Sequence, residues 1–256
     1  MIIMPKQARE KSISGIYHII IRGINKQIIF EDKEDREKFL EMLQHYKQVG
    51  EYQIYGYCLM DNHIHLLIKE GKELLSQSMK RIGVSYVYWY NKKYNRSGHL
   101  FQDRFKSEVV ESDEYVLTVL KYIHYNPIKA GITKSLKQYE WSSYQEYIEG
   151  GRIVSVDFVL GIFSEEKEKA VKYFEKYMKE NTVENCLDIE IPKRFTDEEA
   201  TKILVKYAKV VTPFEIQRME KIERNEILKK IKESEGISTR QIARITGISQ
   251  SVIARA

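Results

Sequence analysis

Apolar and polar positions along the chain alternate between two rhythms. Gly15 to Arg22 (Gly-Ile-Tyr-His-Ile-Ile-Ile-Arg) is an almost unbroken β-branched run closed by Gly23, which predicts a buried strand. Over 33–49 the spacing changes. Phe39, Leu40, Leu43 and Tyr46 recur every three or four residues against Lys33, Asp35, Glu37, Lys38 and Glu41, the pattern of an amphipathic helix. Residues 52–59 and 63–68 read as two strands. Asp61-Asn62 between them suits a tight antiparallel hairpin, because both residues tolerate left-handed backbone angles. A long helix is expected over 74–94 from Leu75, Met79, Ile82, Tyr86 and Tyr90, then a turn at 97–106 leading into a strand that ends near Val110. Residues 112–126 form a helix with Ser112 as N-cap, Asp113 and Glu114 in its first turn, and Pro127 and Gly131 helping to end it.

The second half is more charged. Gly150-Gly151 mark a break, a helix is expected over 164–179, and 181–192 reads as a linker. The chain is helical again from about Thr196. The expectation is an α+β fold, an antiparallel sheet flanked by helices over 1–150, then a helical linker region over 151–195 and an all-α C-terminal domain over 196–256. In that last part Ser238 and Gln241 make a capping box, Gly247 a turn, and Ile248 and Ile253 an inward face. This resembles a helix-turn-helix whose second helix offers Gln250, Ser251 and Arg255 to duplex DNA, against the alternative of an ordinary helical hairpin. The chain stops at Ala256, inside that helix, so the motif is expected to be incomplete.

Composition narrows the class. Of the 256 residues 43% are hydrophobic and 31% charged, which fits a globular protein rather than a disordered one. The net charge of +5 is compatible with a nucleic-acid partner. Two cysteines outside any metal-type cluster, no signal peptide and no membrane-length apolar run point to the cytoplasm.

The candidate chemistry begins with His63 and His65. The two-residue side-chain period of a strand puts them on one face, about 7 Å apart along the chain, where they can converge on a divalent cation or stand as two half-exposed histidines. On the 112–126 helix Tyr122 and Asn126 are one turn apart and share a side, open to a catalytic or a packing role. Cations interleaved with Trp89, Phe101 and Phe105 could line a groove for single-stranded nucleic acid, or form a solvated basic face. Its candidate DNA contacts are Arg22, Lys92, Lys93, Arg96, His99, Arg104 and Lys106.

Three motifs occur in order: His63-Ile64-His65, Gly98-His99-Leu100-Phe101-Gln102-x-Arg104-Phe105-Lys106-Ser107, and Tyr122-Ile-x-x-Asn126-Pro127-x-x-Ala130-Gly131. Over residues 10–150 the chain thereby resembles the single-tyrosine HUH transposases, most closely the REP-associated tyrosine transposase branch. The resemblance implies a ferredoxin-like HUH nuclease core. It also implies cleavage of single-stranded DNA beside a hairpin through a 5′-phosphotyrosine intermediate, by a monomer or homodimer. It assigns His63 and His65 to metal binding, Tyr122 to nucleophilic attack, and Asn126 to the place of a third ligand that is often Gln in relatives. Mixed nitrogen and oxygen ligation suits Mn²⁺ or Mg²⁺. Cleavage is then expected to weaken below about pH 6.5, as protonated imidazoles release metal. The alternatives are a non-catalytic DNA-binding regulator derived from a transposase, and a metal phosphohydrolase in which Tyr122 is structural.

Overall fold

The computed structural model describes residues 10–180, 186, 197–233, 237 and 239–255. The chain divides into two compact units, Met1–Asp188 and Ile189–Ala256. Among the described residues no helix is long and apolar enough to cross a membrane.

The first unit is built on a four-stranded antiparallel sheet. Its strands are β1 (Ile16–Arg22), β2 (Gln53–Met60), β3 (His63–Lys69) and β4 (Lys106–Val109), in the spatial order β2-β3-β1-β4. Central β1 is buried from Ile16 to Ile21, which explains its unbroken apolar run: both faces of the sheet are covered. The register pairs Ile20 with His65 and Arg22 with His63 on one side, and His18 with Glu108 and Ile20 with Lys106 on the other. Paired residues share a face, so His18, Arg22, His63, His65, Lys106 and Glu108 all stand on the same side of the sheet.

Two helices, α1 (Lys33–Gly50) and α2 (Leu75–Lys93), pack on each other through Phe39 and Tyr86, whose ring centroids are 5.3 Å apart. Helix α2 shares a cleft with Ile21, on the sheet face opposite the histidines. The histidine face is covered by α3 (Asp113–Lys129). Its start is fixed as the sequence suggests: Ser112 caps it by accepting from the Tyr115 amide at 3.2 Å. Its end differs. The helix runs through Pro127 to Lys129 and stops at Gly131, whose φ of +72° is a left-handed turn. Proline fixes its own φ at a helical value, so a last helical turn can continue beyond it. Gly56 of β2 lets α3 come close, since a β-carbon there would collide with Leu120 Cδ1.

Two further expectations need correction. The β2–β3 hairpin forms at Asp61-Asn62, yet neither residue takes a positive φ. Tertiary contacts hold the turn instead: Asp61 pairs with Arg36 and its carbonyl accepts from Ile29 and Phe30. The segment after 150 is also no linker as far as residue 180. Helices α4 (Tyr144–Glu149), α5 (Val156–Phe163) and α6 (Lys167–Lys179) join the first unit's core through Val159, Leu160, Ala170, Phe174 and Met178. Lys121 and Tyr125 of α3 donate to the carbonyls of Tyr177 and Met178 at 2.8 and 2.6 Å. Buried Glu146 accepts from the amides of Arg152, Ile153 and Val154, so the turn after Gly150-Gly151 is an internal corner. The expected linker over 181–192 lies outside the described residues except Cys186.

The second unit comprises α7 (Asp197–Ala208), α8 (Lys221–Glu233), α9 (Thr239–Thr246) and α10 (Gln250–Arg255) around Leu204, Ile216, Leu228, Ile242 and Ile253. Gly247, with φ +72°, joins α9 to α10. Ile248 and Ile253 are buried while Gln250 and Ser251 are exposed. Ser238 and the Arg255 side chain lie outside the described residues.

Candidate active site

Strand β3 turns the rings of His63 and His65 to one side with centroids 5.0 Å apart. Helix α3 then lays Tyr122 edge-on against His65, 5.6 Å between centroids. The phenol ring of α3 thus lies against the His65 imidazole of β3. The bland reading of two half-exposed histidines fails for His65, which is fully buried. Asn126 is also buried. Its Nδ2 donates to the Tyr122 carbonyl at 3.0 Å, which leaves Oδ1 as an acceptor.

A third histidine, which sequence reasoning passed over, completes the cluster. His18 of β1 is fully buried and stacked on His65 at 5.4 Å, with its Nε2 3.1 Å from His65 Nδ1. It also meets the Tyr122 ring edge-on at 5.8 Å. The available signal was a polar ring inside a strand otherwise made of Ile and Tyr. A buried polar group needs a partner, but the partner follows only from the β1–β3 register. Lys129, one and a half to two turns beyond Tyr122, holds its ammonium 4.3 Å from the centre of the Tyr122 ring.

The electrostatics favour a neutral His65. Burial holds His65 well below the usual imidazole range, and the neighbouring His18, His63 and Lys129 push it the same way. Each ring of the pair has its Nδ1 engaged: His65 Nδ1 with His18, and His63 Nδ1 with Asn62 Oδ1 at 2.7 Å. His65 Nε2 is buried without a hydrogen-bond partner. An unsatisfied buried nitrogen costs about 1–3 kcal/mol, so such an atom marks a place for a ligand. Among the described residues no group of three or more His, Cys, Asp or Glu is arranged to hold a metal ion. Two imidazoles and a neutral amide oxygen are, by their chemistry, a donor set that fits a divalent ion keeping open positions for substrate oxygens.

The candidate DNA contacts separate into three groups. Arg22 and Lys106 stand at the site, on the histidine face, through their register with His63 and Ile20. His99 and Arg104 are exposed and line a cleft with Phe101, Phe105, Tyr88 and Lys80, on the side of α2. Tyr88, 73% exposed, is a stacking candidate that the sequence reading did not single out, because it lies off the helix's apolar stripe. Lys92 is simply exposed. Lys93 and Arg96 differ from expectation. Lys93 sits 2.8 Å from Asp32 and Glu34 and 2.9 Å from Asp35, neutralised by the start of α1, and it holds the Asp32 carboxyl below its ordinary value. Arg96 donates to Gln27 at 3.0 Å and lies over Tyr90. Their charges were legible, but the carboxylates and amide that meet them are about sixty to seventy residues away. His124, left out of the chemistry from sequence, bonds Ser143 Oγ at 2.8 Å inside the core.

Residues 11–126 match the family model described as "Transposase IS200 like". The chain is 25% identical over 156 residues to a Haemophilus influenzae protein named "Putative REP-associated tyrosine transposase", covering 55% of this chain and 86% of that relative. A solved REP-associated tyrosine transposase, in complex with a REP hairpin, is 16% identical with a TM-score of 0.49, over 60% of this chain and 90% of that one.

Proposed function

We propose that the first unit is a metal-dependent single-stranded DNA endonuclease and strand transferase in which Tyr122 is the nucleophile. The observation that carries this reading is the packing of the Tyr122 ring against His65 at 5.6 Å, beside a buried His65 Nε2 that lacks a partner. Bound by His63, His65 and Asn126 Oδ1, a divalent ion, Mg²⁺ or Mn²⁺, would supply Lewis-acid polarisation of the scissile phosphate.

The chain's own groups account for the rest. A phenol with an ordinary pKa of about 10 is a weak nucleophile at neutral pH, and the Lys129 ammonium, over the Tyr122 ring, would offset negative charge that develops there in the reaction. Tyr122 Oη forms a bond to phosphorus as the P–O3′ bond breaks. The phenol loses its proton, the 3′-oxygen leaves and ends as a hydroxyl, and the 5′-phosphate stays on the tyrosine. The phosphotyrosine keeps the energy of the phosphodiester, so a second 3′-hydroxyl can reverse the step and join a new strand. Arg22 and Lys106 stand where they can position phosphates on the histidine face. His99, Arg104 and the aromatic cleft on the α2 side would hold unpaired flanking nucleotides. The family resemblance adds a DNA hairpin beside the cut. In the second unit, Gln250, Ser251 and Arg255 of a helix-turn-helix-like pair would contact duplex DNA.

The test uses end-labelled single-stranded hairpin oligonucleotides with Mn²⁺. The fragment 3′ of the cut is expected to travel with the protein through denaturing electrophoresis, leaving the other fragment with a free 3′-hydroxyl, and Tyr122→Phe should abolish the adduct. A mobility shift without cleavage would favour the regulator. Free 5′-phosphate without adduct would favour a phosphohydrolase with a structural tyrosine.

A further inference from the structure

The contact between His18 and His65 has a direction. Their nitrogens are 3.1 Å apart in a fully buried setting, so one of the two must carry the proton. The other nitrogen of His18 decides which. Its Nδ1 lies 3.5 Å from Glu108 Oε2, across the β1–β4 register that pairs these residues. That is long for a tight hydrogen bond, but a carboxylate at this distance favours a proton on the nitrogen that faces it. Tyr115, at the start of α3, lies near enough to the same carboxylate to feel its charge. With Nδ1 protonated, a neutral His18 presents a bare Nε2, which can only accept. His65 must then donate from Nδ1, and its in-plane lone pair lies on Nε2, an atom that has no hydrogen-bond partner.

We propose that Glu108 and His18 form a positioning relay that fixes His65 as its Nδ1–H tautomer and keeps the Nε2 lone pair turned out of the sheet as a ligand. The inference rests on the nuclease reading only for what that lone pair binds; the tautomer is a property of the metal-free fold. The physical gain is that a ligand ring held by a second ring and a carboxylate needs no rotation or proton shift to meet a cation. Outer partners of this kind typically account for about 10–100-fold in metal affinity.

The test has two parts on the full chain. Long-range ¹⁵N–¹H spectra of the histidine rings, recorded without metal, should show His65 protonated at Nδ1 and bare at Nε2, and His18 protonated at Nδ1. Mn²⁺ binding, followed by loss of the free-ion electron paramagnetic resonance signal, should weaken about tenfold or more in His18→Phe. His18→Gln, whose amide oxygen can still accept from His65, should recover most of it. A His65 protonated at Nε2, or a measurable Mn²⁺ affinity that is the same in wild type and His18→Phe, would overturn the relay. An Nδ1–H tautomer lost in His18→Phe supports it even if the wild type takes up no Mn²⁺, a result that would count against the nuclease reading alone.

Discussion

Lowering the pH should loosen the first unit through His124 before any metal ligand is considered. Ser143 Oγ accepts from the Tyr57 amide at 2.9 Å and hydrogen-bonds His124 Nε2 at 2.8 Å. His124 Nδ1 is buried without a partner among the rings of Tyr144, Tyr147 and Phe174. Protonating Nδ1 would bury a cation with no acceptor. Burial accordingly pushes the imidazole from 6.5 down to about 3. The folded value is depressed, so the unfolded chain binds the extra proton. Stability is full above pH 6.5 and falls as the pH drops from there toward 3. At pH 5 the loss is RT ln(1 + 10^1.5), about 2 kcal/mol, and because the folded value lies far below pH 5 this figure is set by the unfolded imidazole alone. Urea melts at pH 7.5 and pH 5 should show this loss. His124→Gln, which keeps a donor for Ser143 and cannot titrate, should remove about 2 kcal/mol of the difference. A His124→Gln variant with the wild-type dependence would refute the reasoning.

Other groups make separate predictions. Lys93→Ala should lower the melting temperature by releasing three carboxylates, and leave the salt slope of single-stranded DNA binding unchanged; a shallower slope would return Lys93 to the DNA interface. Lys106→Ala and Arg104→Ala should each reduce that slope by about 0.7, the value for one phosphate on a single strand, with little change in stability. On the proposed mechanism Lys129→Met should slow adduct formation with binding intact, since the ammonium lies against the Tyr122 ring; unchanged single-turnover rates would remove that role. Gly56→Ala should destabilise the unit by about 1–3 kcal/mol through the collision with Leu120, and Leu120→Ala should relieve part of it, as a double-mutant cycle would report.

How much was legible depended on how local the cause was. The strands at 16–22, 53–60 and 63–69 and the capped helix at Ser112 follow from patterns within ten residues, and the chain reads them correctly. The juxtaposition of His63, His65 and Tyr122 needed three spaced motifs rather than one, because no local rule brings a helix back onto a hairpin. What stayed hidden required register or long-range packing. His18 acquires its role only from its neighbours on β3 and β4. The Asp61-Asn62 turn is governed by Arg36 and the Ile29–Phe30 amides rather than by left-handed residues. Helix α5 is short and α6 is charged, and their membership of the first core rests on Val159, Leu160 and Phe174 and on the Tyr177 and Met178 carbonyls, which accept from Lys121 and Tyr125.

The central claim is that the Tyr122 phenol is the atom that takes the phosphate. Digesting the trapped protein–DNA adduct and sequencing the nucleotide-bearing peptide by mass spectrometry tests it directly. The account predicts a single modified peptide with the phosphodiester on Tyr122. Attachment at another residue, or cleaved DNA with no modified peptide at all, would contradict it.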